Sequence, residues 1–323
     1  MNAYRMVLLT LLTVGFAATP LAAVAADESQ SPLVPDPVLE ELILSLKNKY
    51  EHKGDEITQE DLQNIYFLDA KDLGIRDLTG LEHCSNLGEA KLSGNEITDV
   101  SPLAQCDNLQ SLDLSNNKIV DVAPLGGIEK LQYLNIENNR VESLDGLQSL
   151  EALNSLYAAG NKIASMEPVQ ELEKLWSLDL SGNRIEDMSP ASSLPRLSFL
   201  SLRDNELEKV VSLPGTTGML LTDFRDNEIS DLSPLVSMAE ADRRDGVRFT
   251  PFWRLFLEGN PLDATTKMAV ETLEKLGVRL DLTEKEAEPK TIGAAEEAGE
   301  NQPGSDEQNN SDEQKDSTNE SKK

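Results

Sequence analysis

The most constraining feature of the sequence is a 22-residue period of leucines and asparagines that runs through most of the chain. In the clearest copy, Leu109, Leu112 and Leu114 are followed by Asn117. An asparagine recurs in register in the other copies: Asn95, Asn117, Asn139, Asn161, Asn183, Asn205, Asn227 and, in the last copy, Asn260. Repetition at a fixed period in this range is typical of a solenoid, in which each copy buries its apolar side against its neighbours.

Each copy predicts one short strand with a single interior side. Leu112 and Leu114 are two residues apart, so a strand points both to one side and points Asp113 to the other. Stacked copies predict a parallel sheet with the leucines inside and the intervening residues exposed. The nine strands are expected to centre near Leu68, Leu92, Leu114, Ile136, Ala158, Leu180, Leu202, Phe224 and Leu257.

The asparagines stand where each strand ends and the chain turns. A carboxamide can both donate to and accept from backbone groups that no strand pairing satisfies, as buried polar groups require. We therefore interpret the column of asparagines as a structural ladder and not as a set of catalytic residues.

The pattern Leu-x-x-Leu-x-Leu-x-x-Asn-x-Leu is that of the leucine-rich repeat, and the end of each copy resembles the internalin family. The tripeptides Ser-Pro-Leu at 101–103 and 233–235 and Ala-Pro-Leu at 123–125 carry this resemblance, which spans about Ile65 to Leu262. It implies an exported protein of bacterial type with an α/β repeat solenoid fold. The expected architecture is a horseshoe with a parallel concave sheet, a helical N-terminal cap and a C-terminal helix cap.

Prolines limit the outer, convex side of the coils. A proline stands two positions after Val100, Val122, Met188 and Leu232. Because proline disfavours a helix interior, these positions predict turns or short 3₁₀ helices instead of long helices.

Composition and apolar pattern divide the chain into five segments. They are a signal peptide (1–25), a helical N-terminal cap (32–64), about nine repeats (65–262), a C-terminal cap (263–282) and a disordered acidic tail (283–323). Arg5, an apolar run and the small residues Ala23 and Ala25 indicate the cleavable signal. The tail has twelve acidic and five basic residues and only Ile292 as a bulky apolar residue, too little to offset the entropy of ordering.

Both caps carry helix signals. Asp36 precedes a proline, which favours a helix start, and Thr58 with Asp61 three residues later is a variant of the capping box. At the other end, Asp263 can start a helix that Gly277 stops, and an alternating apolar strand is expected to follow. The apolar residues of that last helix are Met268, Val270, Leu273 and Leu276.

The two cysteines, Cys84 and Cys106, occupy the same position in successive coils, in a column of otherwise apolar residues. Adjacent coils lie about 4.8 Å apart, within the range of Cα separations that a disulfide tolerates. A disulfide and two buried thiols are therefore both compatible with the sequence. Neighbouring His83 does not complete a four-ligand zinc site, so no metal is expected.

The repeat register breaks once, between Asn227 and Asn260, which are 33 residues apart instead of 22. The insert at 236–251 carries Arg243, Arg244 and Arg248 in an otherwise acidic protein. Insertions in repeats become loops on one face, often the binding face. The alternative is a tolerated excursion that an internal salt bridge stabilises.

The exposed strand side is where a partner is expected to bind. Aromatic residues make up only 4% of the chain, yet several fall at outward strand positions beside arginines, and both types anchor protein interfaces. The expected contact residues are Phe67, Tyr133, Tyr157, Phe199, Arg203, Leu221, Arg225, Arg254 and Phe256. Strand pairing alone also favours aromatics, which is the alternative explanation. Trp176 and Trp253, at strand entrances, are interpreted as half-buried structural residues.

The sequence favours a non-enzymatic binding protein. Its two histidines, His52 and His83, have no companion nucleophile at a defined spacing. A net charge of −29 repels nucleic acid and anionic membranes. We expect a secreted or periplasmic monomer that binds a protein partner through its concave strand face, without cofactor or membrane insertion. The alternative is a structural component of the envelope or extracellular matrix.

Removal of the tail after Leu282 is expected to leave the melting temperature nearly unchanged, because the tail has almost no apolar surface to bury. Thermal unfolding followed by circular dichroism measures this. A drop as large as that caused by a change in the repeat interior would show that the tail belongs to the fold.

Overall fold

The computed structural model describes residues 32–49, 56–213, 218–246, 248–261 and 264–282. By its contacts the chain divides into a unit that ends at Leu282 and a second unit from Thr283 to Lys323. The predicted signal peptide and acidic tail lie outside the described residues. Four α-helices are described: α1 (Pro37–Lys49), α2 (Gln59–Gln63), α3 (Ser233–Asp245) and α4 (Ala264–Leu276).

The first unit is built on a single parallel sheet whose ten strands follow one another in chain order. The strands are β1 (Phe67–Asp69), β2 (Glu89–Lys91), β3 (Ser111–Asp113), β4 (Tyr133–Asn135), β5 (Ser155–Tyr157), β6 (Ser177–Asp179), β7 (Phe199–Ser201), β8 (Leu221–Asp223), β9 (Arg254–Phe256) and β10 (Arg279–Asp281). Successive strands pair without slippage, so Leu112 aligns with Ala90 and Leu134. The predicted repeat solenoid with helices at both ends is confirmed.

From β2 to β9 the strands centre two residues earlier than the sequence suggested. Leu68 is the centre of β1 as expected, but β3 centres on Leu112 and not on Leu114. Both leucines are buried, so burial alone does not locate the strand. The chain leaves the extended conformation soon after Leu114, because Asn116 has a positive φ of 57°.

Each ladder asparagine ties its own coil to the preceding one. The Oδ1 of Asn139 accepts from the backbone N of Ile119 at 3.0 Å, and its Nδ2 donates to the carbonyls of Leu114 and Ile136, both at 3.0 Å. A third carbonyl, that of Glu137, lies at 3.2 Å. The other ladder asparagines repeat this arrangement, and Asn260 keeps it across the insert through the backbone N of Ile229 at 3.0 Å.

The residue before each ladder asparagine turns the chain through a left-handed conformation. These residues are Gly94, Asn116, Asn138, Gly160, Gly182, Asp204, Asp226 and Gly259, and Asp72 holds the same position before Leu73 in the first coil; all have positive φ. Glycine, asparagine and aspartate are the residues that tolerate this conformation. At Gly94 an added Cβ would also lie 1.9 Å from Oδ1 of Asp72, so the side chain of Asp72 would have to move.

Six coils carry a 3₁₀ helix on their outer side, in agreement with the prediction from the prolines. The 3₁₀ helices described are Leu81–His83, Ser101–Gln105, Ala123–Gly127, Leu147–Ser149, Glu167–Glu171 and Ser189–Ser193. After Leu232 the coil instead forms the 13-residue helix α3. The proline there, Pro234, lies in the first helical turn, where its missing N–H costs nothing.

The insert is therefore mostly a helix and not a loop. Leu235, Met238 and Ala239 are buried, and α3 packs against α4. Buried Asp242 holds the return of the chain: its carboxylate accepts from the backbone N of Arg248 and Thr250, each at 3.0 Å. Arg248 Nε also lies 3.6 Å from Asp242 Oδ1. This is an internal salt bridge of the kind expected if the insert is a tolerated excursion.

The two helices of the N-terminal cap begin where the local signals place them, whereas Asp263, the predicted start of the C-terminal helix, lies outside the described residues. Asp36 Oδ1 accepts from the backbone N of Leu39 at 3.1 Å, and its Oδ2 accepts from the backbone N of Arg76 at 2.8 Å, so it caps α1 and ties it to the first coil. Thr58 and Asp61 form a reciprocal capping box on α2. In α4 one residue of the predicted apolar face is not buried: Met268 is 70% exposed, whereas Thr266 is buried.

Replacing Asn139 by alanine is expected to lower the free energy of unfolding by about 2 kcal/mol, because it leaves buried backbone groups of two coils without partners. Urea unfolding measures the loss. Asn154→Ala, the same change at an exposed position, is the matched control and is expected to have little effect. Equal losses in the two variants would contradict the structural role of the ladder.

Candidate functional site

The exposed side of the sheet, called the strand face below, carries most of the predicted contact residues. In β1 the pattern is exposed, buried, exposed, and the first residue of β4, β5, β7 and β8 is partly exposed above a buried neighbour. Tyr133, Tyr157, Phe199 and Leu221 are partly buried, whereas Arg203 and Arg254 are exposed. Strand alternation therefore places these side chains on the strand face.

Aromatic side chains cluster in the middle of the strand face. The rings of Tyr133 and Tyr157 lie 5.5 Å apart between centroids, and those of Trp176 and Phe199 lie 4.6 Å apart. Ser177 Oγ donates to the hydroxyl of Tyr157 at 3.2 Å and links the two pairs. These residues come from four successive coils and form one aromatic patch.

Trp176 is the member of this patch that the sequence interpretation missed. It is 40% exposed and stands one residue before β6, a position that by sequence alone indicates a half-buried structural residue. Trp253, at a similar position before β9, is fully buried, and its Nε1 donates to Thr222 Oγ1 at 2.9 Å. Trp253 packs against buried Phe249 of the insert, with 5.8 Å between the ring centroids, and it is Phe252 that is exposed there, at 60%.

Phe256 is a correction to the predicted contact residues. Its side chain is only 4% exposed, because guanidinium groups cover its ring. The Cζ of Arg225 lies 5.2 Å and that of Arg254 5.1 Å from the ring centroid. Arg225 forms an ion pair with Asp223, in which Nη2 of the arginine lies 2.5 Å from Oδ2 of the aspartate. At this position Arg254, and not the phenylalanine ring, is the exposed group.

The first strand carries a smaller apolar site. Phe67 is 46% exposed, and Tyr66, the residue before it, is more exposed still. Lys91 Nζ lies 5.1 Å from the centroid of the Phe67 ring, the distance of a cation–π contact. This end of the strand face is separated from the aromatic patch by β2 and β3.

Carboxylates on the strand face have a local structural role. Asp113 Oδ1 accepts from the backbone N of Ser115 at 3.0 Å, and Asp179 makes the same contact with Ser181 at 2.9 Å. Such bonds close the turn at the end of each strand. They explain part of the acidic composition of the face without a ligand.

Ionisation on this face is shifted by burial and by neighbouring charge. Burial, then the Asp223 charge, raises the pKa of Asp179, although hydrogen bonds from Ser181 oppose the rise. Burial and the Asp179 charge raise the pKa of Glu137. Burial, with Asp113 nearby, raises the pKa of Tyr133 to about 12. The ionised carboxylates here are therefore less stable than in water.

Cys84 and Cys106 are free, buried thiols, so the structure contains the thiol alternative and not the disulfide. Cys106 Sγ donates to the carbonyl of Leu81 at 3.3 Å, a contact that satisfies it without Cys84. Burial raises the pKa of each thiol to about 12. Among the described residues, no group of three or more His, Cys, Asp or Glu side chains could hold a metal ion.

Comparison with known proteins agrees with this architecture. Family models match residues 85–127 (leucine-rich repeats, two copies) and residues 108–163 (leucine-rich repeat). Crystal structures of two Listeria monocytogenes proteins are similar, each at 24% identity over 78% of this chain. The match spans 90% of internalin InlF with a TM-score of 0.52, and 95% of internalin C2 with a TM-score of 0.56. No curated protein sequence matches significantly.

Residues 85–163 match leucine-rich repeats, and the chain has the fold of a leucine-rich repeat solenoid, a fold typical of protein–protein interaction modules. Within that class its fold is internalin-like, as the repeat tails suggested. In the described part of the chain, every helix is too short or too polar to cross a lipid bilayer.

Asp179→Asn is expected to stabilise the protein at neutral pH. Because the folded pKa of Asp179 lies above its ordinary value of 3.8, the wild type loses stability as pH rises from 3.8 through the folded pKa. The amide keeps an oxygen for Ser181 but carries no charge. Urea unfolding between pH 3 and pH 7, a range of about four units around the transition, should show the advantage of the variant growing with pH. An advantage that is independent of pH would contradict this explanation.

Proposed function

We propose that this protein is an exported, non-enzymatic binding protein that holds a protein partner across its strand face. The aromatic patch of Tyr133, Tyr157, Trp176 and Phe199 is the observation that carries the proposal. These rings stay accessible although the interior of the repeats is already filled with buried leucines. Folding alone does not require aromatic bulk at these positions.

The composition of the patch is that of a protein interface. Tyrosine, tryptophan and arginine are enriched where binding energy concentrates, and fixed rings lose little conformational entropy on binding. The patch is flanked toward β9 by the group of Arg225, Arg254 and Phe256. The partner would therefore contact apolar rings at its centre and charged groups at one side.

The signal segment at 1–25 supports export to the periplasm or the medium. Binding without catalysis fits the strand face, because the serine hydroxyls of Ser115 and Ser181 reach the carboxylates of Asp113 and Asp179 within the turns that end β3 and β6. The monomeric state is part of the same proposal, since a partner then has the whole face available.

Single serine replacements at Tyr133, Tyr157 and Phe199 are expected to weaken partner binding by about 2 kcal/mol each, roughly thirtyfold, because each removes a central aromatic anchor. The immobilised protein would be exposed to the envelope fraction and medium of its own cells, and captured proteins quantified by mass spectrometry.

Glu142→Ser, an exposed change away from the strands, is the matched control and is expected to retain the captured protein. Melting temperatures of all variants establish that they are folded. If the three serine variants capture the same proteins as wild type while folded, the strand face is not the binding surface.

A further inference from the structure

Two arginines lie directly opposite each other at the C-terminal end of the strand face. Arg254 in β9 and Arg279 in β10 are register partners, and both are exposed. Neighbouring strands are about 4.8 Å apart, so the two side chains start side by side. Within the described ranges, neither guanidinium forms an ion pair with a carboxylate.

The arginine next to this pair is already engaged. Arg225 is 12% exposed, and its Nε lies 2.9 Å and 3.1 Å from the two carboxylate oxygens of Asp223. The guanidinium groups of Arg225 and Arg254 both make cation–π contacts with the Phe256 ring. The Phe256 ring thus supports the Arg254 guanidinium through a cation–π contact, which uses the face of the group and not its N–H donors.

This arrangement is unfavourable for folding by itself. Like charges directly opposite each other on neighbouring strands are destabilising, and this chain has 58 acidic residues from which a neutralising partner could have been placed. Glu258 also lies at this end, but no ion pair joins it to Arg254 or Arg279 in the part of the chain described. Among the described residues, the two guanidinium groups therefore stand side by side without a paired carboxylate.

We propose that Arg254 and Arg279 together bind a carboxylate of an acidic segment in the protein partner. The inference rests on the proposed function and adds the chemistry of the partner. Guanidinium groups suit carboxylates because their planar donors match both oxygens. An acidic protein segment fits better than nucleic acid or an anionic membrane, because the rest of this highly acidic chain would repel an extended anionic surface.

The geometry also sets the spacing within the partner. Phe199 lies in β7 and Arg254 in β9, two strands further along the sheet, which is about 10 Å. A partner segment that crosses the strands would place an apolar side chain on the aromatic patch and a carboxylate about 10 Å away. In an extended chain this corresponds to about three residues.

A pair of labelled peptides tests this chemistry with the full chain. One peptide carries a tryptophan followed, three residues later, by two glutamates; its twin carries glutamines instead. Fluorescence anisotropy is expected to show binding of the glutamate peptide at least about tenfold tighter than that of its twin, the scale of one charge-assisted hydrogen bond. Arg254→Gln/Arg279→Gln is expected to abolish this preference.

Arg243→Gln/Arg244→Gln is the matched control, since it removes two exposed arginines of α3 and is expected to keep the preference. The Arg279→Gln variant alone is expected to raise the melting temperature by about 1–2 °C, because it removes the repulsion between like charges. An unchanged or lower melting temperature would contradict the claim that the pair is unneutralised.

Three outcomes overturn the proposal. The first is that the wild-type protein binds the glutamate and glutamine peptides equally well, and the second is that the Arg254→Gln/Arg279→Gln variant still prefers the glutamate peptide. The third is concentration-dependent self-association through the arginine pair, seen by sedimentation, which would make a second copy of the chain the occupant. Failure here is separable from failure of the proposed function. Capture that depends on Tyr157 and Phe199 but not on the arginines would retain the strand face and remove only the carboxylate site.

Discussion

The carboxamide of one asparagine per coil is the interaction on which the rest of the structure depends. A coil has only three residues in a strand, so many of its backbone groups lie in turns and must find partners elsewhere. The side chain of Asn139 satisfies an N–H of the preceding coil and carbonyls of both coils. One side chain thus shapes the turn and fixes the stacking. At Asn260 the same bonds persist across the insert, whose extra residues form α3 on the outer side.

Because the ladder and the leucines hold the coils together, the strand face is free to vary. Its side chains change character along the sheet, from Phe67 with Lys91, through the aromatic patch, to the arginines of β9 and β10. The aspartates between them close turns. The frame is therefore repetitive, while the chemistry of the face is specific to each coil, and binding specificity would reside in those differences.

Regular spacing and local capping chemistry made much of the fold predictable. Residues at the position of Leu112 have similar surroundings in each coil, so the pattern of one copy predicts the structure of the others. Asp36 and Thr58 cap helices through bonds to residues two or three positions away, which the sequence displays directly. The proline after Leu232 predicts a turn, but the structure has the helix α3 there. Pro234 lies in the first turn of this helix, where a proline is compatible with helical structure.

The repeat solenoid, its buried columns, the asparagine ladder and the outward side of the strands all follow from the amino-acid sequence, because each depends on spacing along the chain. Which outward side chains are accessible depends on the packing of neighbouring coils in the folded protein. Phe256 is covered by arginines from two coils, Trp176 joins a patch built from four, and Cys106 bonds to a carbonyl of the preceding coil instead of to Cys84. Such contacts depend on side-chain directions in neighbouring coils, and a one-dimensional period contains no information about those directions.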